Sequence, residues 1–265
     1  MEAHTVRVPH PAPIRLSPES IRQWRQCPHA FWHRYLQRSP REAVFSRPMQ
    51  RGNCIHHLLR ACFVQRRAKG VFPAELSPLA ANFLPRRLYA NQDAWREDVW
   101  EASHTVRQYL AALPAEAADA TRTLAIERVY RYDYQPPPTY ALSARADRVY
   151  RAPSGGLRIV DYKSGTPGAY DLFQMAALHL CVAATPGTPA DARPITVGIV
   201  FLTHDRPETL AKQFTRDELR EYRDRIGDIA AAIRTERTFA PTPGPACRYC
   251  PYRALCPAID EGSEY

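Results

Sequence analysis

The spacing of apolar residues in this chain changes near residue 123. Before that point apolar side chains recur at helical intervals, whereas after it short runs alternate between apolar and polar residues, as strands with one buried face do. Turn segments rich in proline, glycine and serine separate these runs. The alternating runs cover residues 124–134, 140–150 and 156–161. The pattern predicts helices followed by an antiparallel meander, and therefore an α/β architecture with a small mixed sheet.

Helix signals occur near the N-terminus and in several later segments of the chain. Ser17 followed by Pro18 is typical of a helix start, and the apolar spacing after it predicts a helix to about residue 36. Residues 71–90 contain three prolines and are expected to form loops and short turns. The remaining segments divide into two predicted strands, 195–203 and 209–214, and predicted helices over 50–67, 92–113, 170–183 and 217–233.

Composition restricts the class of protein. Hydrophobic residues make up 45% of the 265 residues and charged residues 24%, which is typical of a globular domain. The longest apolar run, 195–202, is too short to span a bilayer, and the N-terminus lacks the apolar segment of a signal peptide, so we expect a cytoplasmic protein without a membrane partner. The net charge of +9 fits a polyanionic partner or a well-solvated basic surface equally well.

Two aspartates and a lysine are expected at one end of the sheet. Asp161 and Lys163 alternate along a strand and therefore project from the same face, and Asp147 lies in the preceding strand across a short turn. Two carboxylates and an ammonium group suit a hard divalent cation and a polarised water. An ordinary surface ion pair at a strand end is the alternative.

Seven cysteines occur in the chain, and three of them form a tight cluster near the C-terminus. The spacing Cys247-x2-Cys250-x5-Cys256 indicates a metal site, and Cys27 is the natural fourth ligand. The residues alone leave a four-cysteine zinc site and an iron–sulfur cluster open. The other cysteines are expected in the apolar core: Cys54, Cys62 and Cys181.

Together these motifs resemble the PD-(D/E)XK nucleases, and most of all their RecB-like branch. The segment 144–149 with Asp147, and Ile159-Val160-Asp161-Tyr162-Lys163-Ser164-Gly165, resemble the central motifs. Gly52-x3-His56 resembles a helix motif whose histidine is a metal ligand. Gln174 matches the glutamine of the following helix, and Glu127 matches a glutamate of the site. The chain departs from the branch at Leu178, where a tyrosine is usual, and at Ala144, where glycine is usual.

The cysteine pattern resembles the iron–sulfur staple of a subgroup that contains AddB-type helicase–nucleases, eukaryotic exonuclease V and CRISPR-associated nucleases of spacer acquisition. The resemblance implies a structural 4Fe-4S cluster held by Cys27, Cys247, Cys250 and Cys256. It further implies one restriction-endonuclease-like nuclease domain over residues 1–265. Its parts would be a loose arm (1–16), a helical part (17–122), the nuclease core (123–237) and an iron–sulfur tail (238–265) that closes onto Cys27.

The resemblance implies a DNA exonuclease that prefers single strands and uses Mg2+ or Mn2+. His56, Asp147, Asp161 and the carbonyl of Tyr162 would hold the metal, and Lys163 would stabilise charge or position water. The expected setting is DNA repair and recombination beside a helicase, or CRISPR prespacer processing beside an integrase. A non-catalytic iron–sulfur or zinc scaffold that binds nucleic acid is the alternative, and a redox sensor is a third.

Arginines of the first two predicted helices are candidates for a surface that follows DNA phosphates, and half of them are equally expected to be ordinary exposed residues. They are Arg15, Arg22, Arg25, Arg34, Arg38, Arg41, Arg47 and Arg51.

Overall fold

A computed structural model describes residues 14–42, 46–136, 139–165, 168, 171–186, 194–202 and 207–259. The chain divides into two compact units, each assembled from separate segments. The terminal unit comprises Met1–Val44, Arg131–Ser143 and Asp217–Tyr265, and the central unit comprises Phe45–Tyr130 and Ala144–Arg216. Residues 1–13 of the expected loose arm lie outside the described residues, and the single domain stays a prediction.

The described helices are α1 (Pro18–Gln26), α2 (Pro28–Phe31), α3 (Arg47–Lys69), α4 (Ser77–Phe83), α5 (Gln92–Ala111), α6 (Ala115–Ala118), α7 (Asp171–Ala184) and α8 (Arg216–Thr235). The strands are β1 (Ile14–Leu16), β2 (Thr123–Tyr134), β3 (Tyr140–Arg151), β4 (Leu157–Lys163), β5 (Ile195–Leu202) and β6 (Pro207–Lys212). The predicted α/β class is confirmed, and the predicted strands and long helices agree with the structure to within a few residues.

The strands form one mixed sheet with the order β1-β3-β4-β5-β6, and β2 also pairs with β3. β3 and β4 are antiparallel, with Arg148 opposite Val160, so the register continues to bring Asp147 beside Asp161. β4 and β5 are parallel, and β6 runs antiparallel to β5. Ile14–Leu16, expected in the arm, instead pairs with Tyr140–Leu142 as a parallel strand, because three residues are too few to show an alternating pattern.

Helices α3, α4 and α5 build the core of the central unit together with the sheet. Leu58 and Leu59 of α3 and Ala102 of α5 are buried in the cluster that also contains Val160 and Val200 of the sheet. Helix α4 corrects the expectation of loop and turns over residues 71–90. Its Ala80 is fully buried in the same cluster, so packing stabilises a helix too short to form alone.

The first predicted helix is interrupted at Cys27. Ser17 caps α1 in a capping box with Ser20, as the sequence predicts. Cys27 then adopts an extended conformation, φ −162° and ψ 107°, because the ring of Pro28 disfavours helical geometry in the preceding residue. A new helix, α2, begins after Cys27 and continues as a π-helical segment over Trp32–Gln37. None of the described helices has the length and apolar character needed to cross a membrane.

Candidate active site

Glu127 lies at an irregular point of β2. Its φ of 52° is in the left-handed region, and the buried positions of the strand change from Thr123 and Ala125 before it to Tyr130 after it. A left-handed backbone strains a non-glycine residue, and such strain is typical of functional sites. Burial and the neighbouring Asp147 raise the pKa of Glu127, whereas Arg145 opposes the rise. The irregular point of β2 therefore carries an acidic side chain that lies near His56 and Asp147.

His56, Glu127 and Asp147 form a compact group of possible metal ligands. One ligand atom of each side chain lies within 4.8 Å of the others. His56 Nδ1 is 3.3 Å from Asp147 Oδ2, yet this buried nitrogen has no aligned hydrogen-bond partner in the described part of the chain. Burial alone would lower the pKa of His56, but the charges of Asp147 and the other carboxylates outweigh it and raise the pKa. His56 Nδ1 and Asp147 Oδ2 are close enough to bind the same cation.

Asp161 is almost fully buried beside this group. Its exposed fraction is 7%, and Gln174 Nε2 of α7 donates a hydrogen bond to Oδ2 over 2.9 Å. Burial and the adjacent Asp147 raise the pKa of Asp161 to about 7, although Lys163 opposes this. A carboxylate with such a pKa lacks sufficient compensating positive charge. The site is therefore expected to gain stability from a bound cation.

Lys163 forms an ion pair with Asp171, which is 5% exposed and lies at the start of α7. Asp171 also accepts the backbone N–H of Gly168 through its other oxygen. Both contacts orient the carboxylate, so it holds the ammonium group of Lys163 in one place. Asp171 was not predicted from the sequence, in which its only signal is that of an acidic residue in a first helical turn, three positions before Gln174.

Gly52 of α3 allows the helix to approach the end of β4. A methyl group at this position would lie 2.7 Å from Ser164 Oγ, closer than side-chain atoms pack. Gly52 and His56 lie one helical turn apart on the same side of α3. The glycine therefore lets the helix that carries His56 pack beside the strand that carries Asp161 and Lys163.

These residues fit a divalent cation. Imidazole nitrogen and carboxylate oxygen are ligands that Mg2+ and Mn2+ accept, and Asp161 gains from added positive charge. The compact ligand group contains Glu127, His56 and Asp147 but not Asp161. The ring of Tyr162 is buried, with its hydroxyl 3.1 Å from that of Tyr109, and its carbonyl as a ligand stays a prediction.

The four cysteines of the predicted cluster site lie together in the terminal unit. Burial raises the pKa of the Cys250 thiol, and the neighbouring Cys27, Cys247 and Cys256 raise it further. Among the described residues, only the group at His56 brings three ligand atoms within 4.8 Å of one another, so no three of these thiols are that close together. None of the four cysteines forms a disulfide in the described part of the chain. Cys54, Cys62 and Cys181 are buried, as expected.

Several of the arginines expected to bind DNA phosphates form ion pairs within the protein. Arg22 and Arg34 pair with Glu19. Arg47 and Arg51 of α3 pair with Asp98, whose side chain is fully buried in α5. Burying that carboxylate requires the two arginines, so they hold α3 against α5 instead of projecting freely into solvent.

Leu178, the residue of α7 that departs from the family pattern, is buried. Leu178 is 1% exposed, and Gln174 on the same helix is only partly buried. Leu178 therefore serves packing and cannot touch a substrate, whereas Gln174 faces Asp161.

One protein family and several solved structures are similar to this chain. The family model of the PD-(D/E)XK nuclease superfamily matches residues 15–257. No curated protein is significantly similar to the chain. Among solved structures, SSO0001 is 12% identical, with a TM-score of 0.43, over 94% of this chain and 88% of the other. A candidate exonuclease from Eubacterium rectale is 11% identical, with a TM-score of 0.45, over 83% of this chain and 79% of the other. Because the family match includes almost all of the chain and every residue of the site, the chain belongs to the PD-(D/E)XK nuclease superfamily.

Proposed function

We propose that this protein is a metal-dependent deoxyribonuclease that hydrolyses phosphodiester bonds and prefers single-stranded DNA as an exonuclease. Membership of the superfamily implies a divalent metal and a nucleic-acid substrate. The observation that carries the proposal is the meeting of His56, Glu127 and Asp147 beside the buried Asp161. A bound Mg2+ or Mn2+ would act as a Lewis acid on the scissile phosphate and lower the pKa of a water molecule.

The residues around the cation have separate tasks in this proposal. His56, Asp147 and Asp161 would hold the metal, together with the Tyr162 carbonyl, and Glu127 would complete or support the ligand set. Gln174 orients Asp161 through its hydrogen bond. Lys163 would place its ammonium group where negative charge develops on the phosphate or the attacking water. Asp171 holds this ammonium group in position through their ion pair. The site residues lie on three neighbouring strands and two helices, so rigid elements support the constellation.

A nuclease assay tests this function. Protein purified without oxygen is incubated with Mn2+ and with end-labelled single-stranded and duplex DNA, and Asp161→Asn is prepared identically as the control. We expect cleavage by the wild type only, faster on the single strand, with mononucleotides or short products released from one end. Equal activity of Asp161→Asn would indicate a contaminating nuclease. No cleavage by folded wild-type protein would favour the non-catalytic scaffold instead.

The cysteines of the terminal unit support a second part of the proposal, a structural 4Fe-4S cluster on Cys27, Cys247, Cys250 and Cys256. One tetrahedral zinc ion would bring its thiolates to about 4 Å from one another, since each Zn–S bond is about 2.3 Å. The thiols are close enough to raise the pKa of Cys250, yet no three of them lie within 4.8 Å of one another in the described part of the chain. In a cluster each thiolate binds its own iron, so wider spacing is expected.

Replacement of one ligand tests the cluster. Cys250→Ser is expected to lose the absorbance and the iron and sulfide of the cluster, and to lower the Tm on the order of 10 °C, at 2–4 °C per kcal/mol. Cys181→Ala, which alters a buried cysteine of the central unit, should retain the iron. Stoichiometric zinc without iron in protein purified under anaerobic conditions would overturn the iron–sulfur assignment.

A further inference from the structure

One face of α3 continues from the metal-ligand group into a shallow groove. His56, Arg60, Val64 and Arg67 follow one another at helical spacing and therefore share this face. The groove has a volume of about 500 Å³, and its lining consists of Val64, Arg67 and Ala68 of α3 with Ile126 of β2. Ile126 directly precedes Glu127, so helix and strand both lead from the groove to the candidate ligands.

The two arginines of this face differ from the paired arginines of the same helix. Arg60 and Arg67 are exposed, and neither has an ion pair or hydrogen bond within the described part of the chain. Arg47 and Arg51 are instead engaged by Asp98. Arg60 is close enough for its charge to lower the pKa of Glu127. An unpaired guanidinium is available to bind a phosphate, whereas an arginine engaged by a buried carboxylate is not.

The groove also offers apolar contacts between its charges. Val64 is 49% exposed, and Ile126 opposite it is partly buried. Alternating cationic and apolar side chains suit a nucleic-acid strand, whose phosphates and sugar or base faces alternate in the same way. Arg60 lies about 6 Å and Arg67 about 17 Å along the helix axis from His56, at 1.5 Å per residue. The face therefore extends over a few nucleotides.

We propose that this groove, lined by Val64, Arg67 and Ala68 with Ile126, together with Arg60 on the same face of α3, binds the strand that is being cleaved, on one side of the scissile phosphate. The inference rests on the proposed nuclease function and assigns the path of its substrate. Arg60 contacts the phosphate nearest the metal ligands, and Arg67 contacts a phosphate farther along the strand. These contacts exist before and during the reaction, so they govern binding more than the chemical step.

Substitutions in the groove test the path of the strand. Arg60→Gln, Arg67→Gln and the double variant remove positive charge, and Arg107→Gln, an exposed arginine of α5 outside the groove, is the matched control. Binding of fluorescein-labelled oligothymidylate is measured by anisotropy over a range of salt concentrations, in an Asp161→Asn background that prevents cleavage. Cleavage of the same oligonucleotide is measured with Asp161 restored.

Each groove variant is expected to weaken binding about 3- to 10-fold and to reduce the slope of log K against log salt by about 0.7, the value for one phosphate contact on a single strand. The KM should rise with kcat nearly unchanged. Val64→Glu, which adds a negative charge at an exposed position, should weaken binding at least as much as Arg60→Gln. Arg107→Gln should match the wild type.

The outcomes separate this inference from the nuclease function. If wild type cleaves DNA and the groove variants bind with the affinity and salt slope of Arg107→Gln, the strand follows another path and the inference is overturned. If wild type neither binds nor cleaves oligothymidylate, the proposed nuclease function itself fails.

Discussion

The backbone N–H of Tyr162 donates a hydrogen bond to Asp147 Oδ2 over 2.8 Å. Tyr162 lies between Asp161 and Lys163 on β4, so the backbone of one strand fixes the carboxylate of the other. Asp147 is 5% exposed, and the same Oδ2 lies 3.3 Å from His56 Nδ1. The relative position of the two aspartates therefore depends on strand pairing, which is more rigid than contacts between side chains.

Loss of the Gln174 amide should reduce catalysis without unfolding the protein. Gln174→Met keeps the length of the side chain but removes the donor to Asp161 Oδ2. We expect kcat to fall about 10- to 100-fold, the usual cost of removing a group that orients a metal ligand. Affinity for DNA and Tm should stay close to wild type. A kcat within twofold of wild type would show that Asp161 needs no such support.

Asp171 should act through the position of Lys163. Asp171→Asn keeps an acceptor for the Gly168 N–H but removes the charge that holds the ammonium group. We expect kcat to fall roughly tenfold, about 1.4 kcal/mol of transition-state stabilisation, with KM little changed. Asp171→Glu should recover part of the loss, and Asp217→Asn, which alters an exposed carboxylate, should have no effect. A rise in KM alone would contradict a positioning role.

Stability of the metal-free protein should fall as pH rises. The folded-state pKa of Asp161 is raised from 3.8 to about 7. Its contribution to the free energy of unfolding is therefore complete at low pH and is lost as pH rises through about 7. The raised pKa of His56 acts in the same direction. At 1.36 kcal/mol per unit, Asp161 contributes at most about 4 kcal/mol.

Thermal unfolding in the presence of a chelator, between pH 5.5 and 8, measures this effect. Asp161→Asn should show a smaller fall in Tm over that range. Addition of Mn2+ at pH 8 should raise the Tm of the wild type and have less effect on the variant, because binding to the folded state adds to its stability. Parallel curves for the two proteins would contradict the assignment of the pH dependence to Asp161.

The contact between α3 and the end of β4 can be tested at Gly52. In Gly52→Ala the new methyl group would meet Ser164 Oγ at 2.7 Å, so the hydroxyl must rotate or the helix must shift. We expect a loss of about 1 kcal/mol of stability, within the usual range for overpacking, and a lower kcat because His56 moves with the helix. The second substitution Ser164→Ala removes the clashing oxygen and should restore much of the lost stability and of the lost kcat. No recovery in the double variant would place the strain elsewhere.

Local patterns predict much of this fold. The alternation of 140–150 and the apolar run of 195–203 appear as β3 and β5, and Ser17 caps α1 as expected. Asp161 and Lys163 share a strand face because side chains alternate along any strand. Helix α4 and strand β1 were missed, since both depend on packing partners distant in sequence.

The sequence by itself determined which side chains are available for catalysis: two aspartates, a lysine, a histidine, a glutamine and the clustered cysteines. Only the tertiary structure decided how they are used. The grouping of Glu127 with His56 and Asp147, the ion pair of Lys163 with Asp171 and the pairing of Arg47 with Asp98 join residues from different elements. Local propensity does not encode such contacts, because their energy arises only when helices and strands pack together and exclude water.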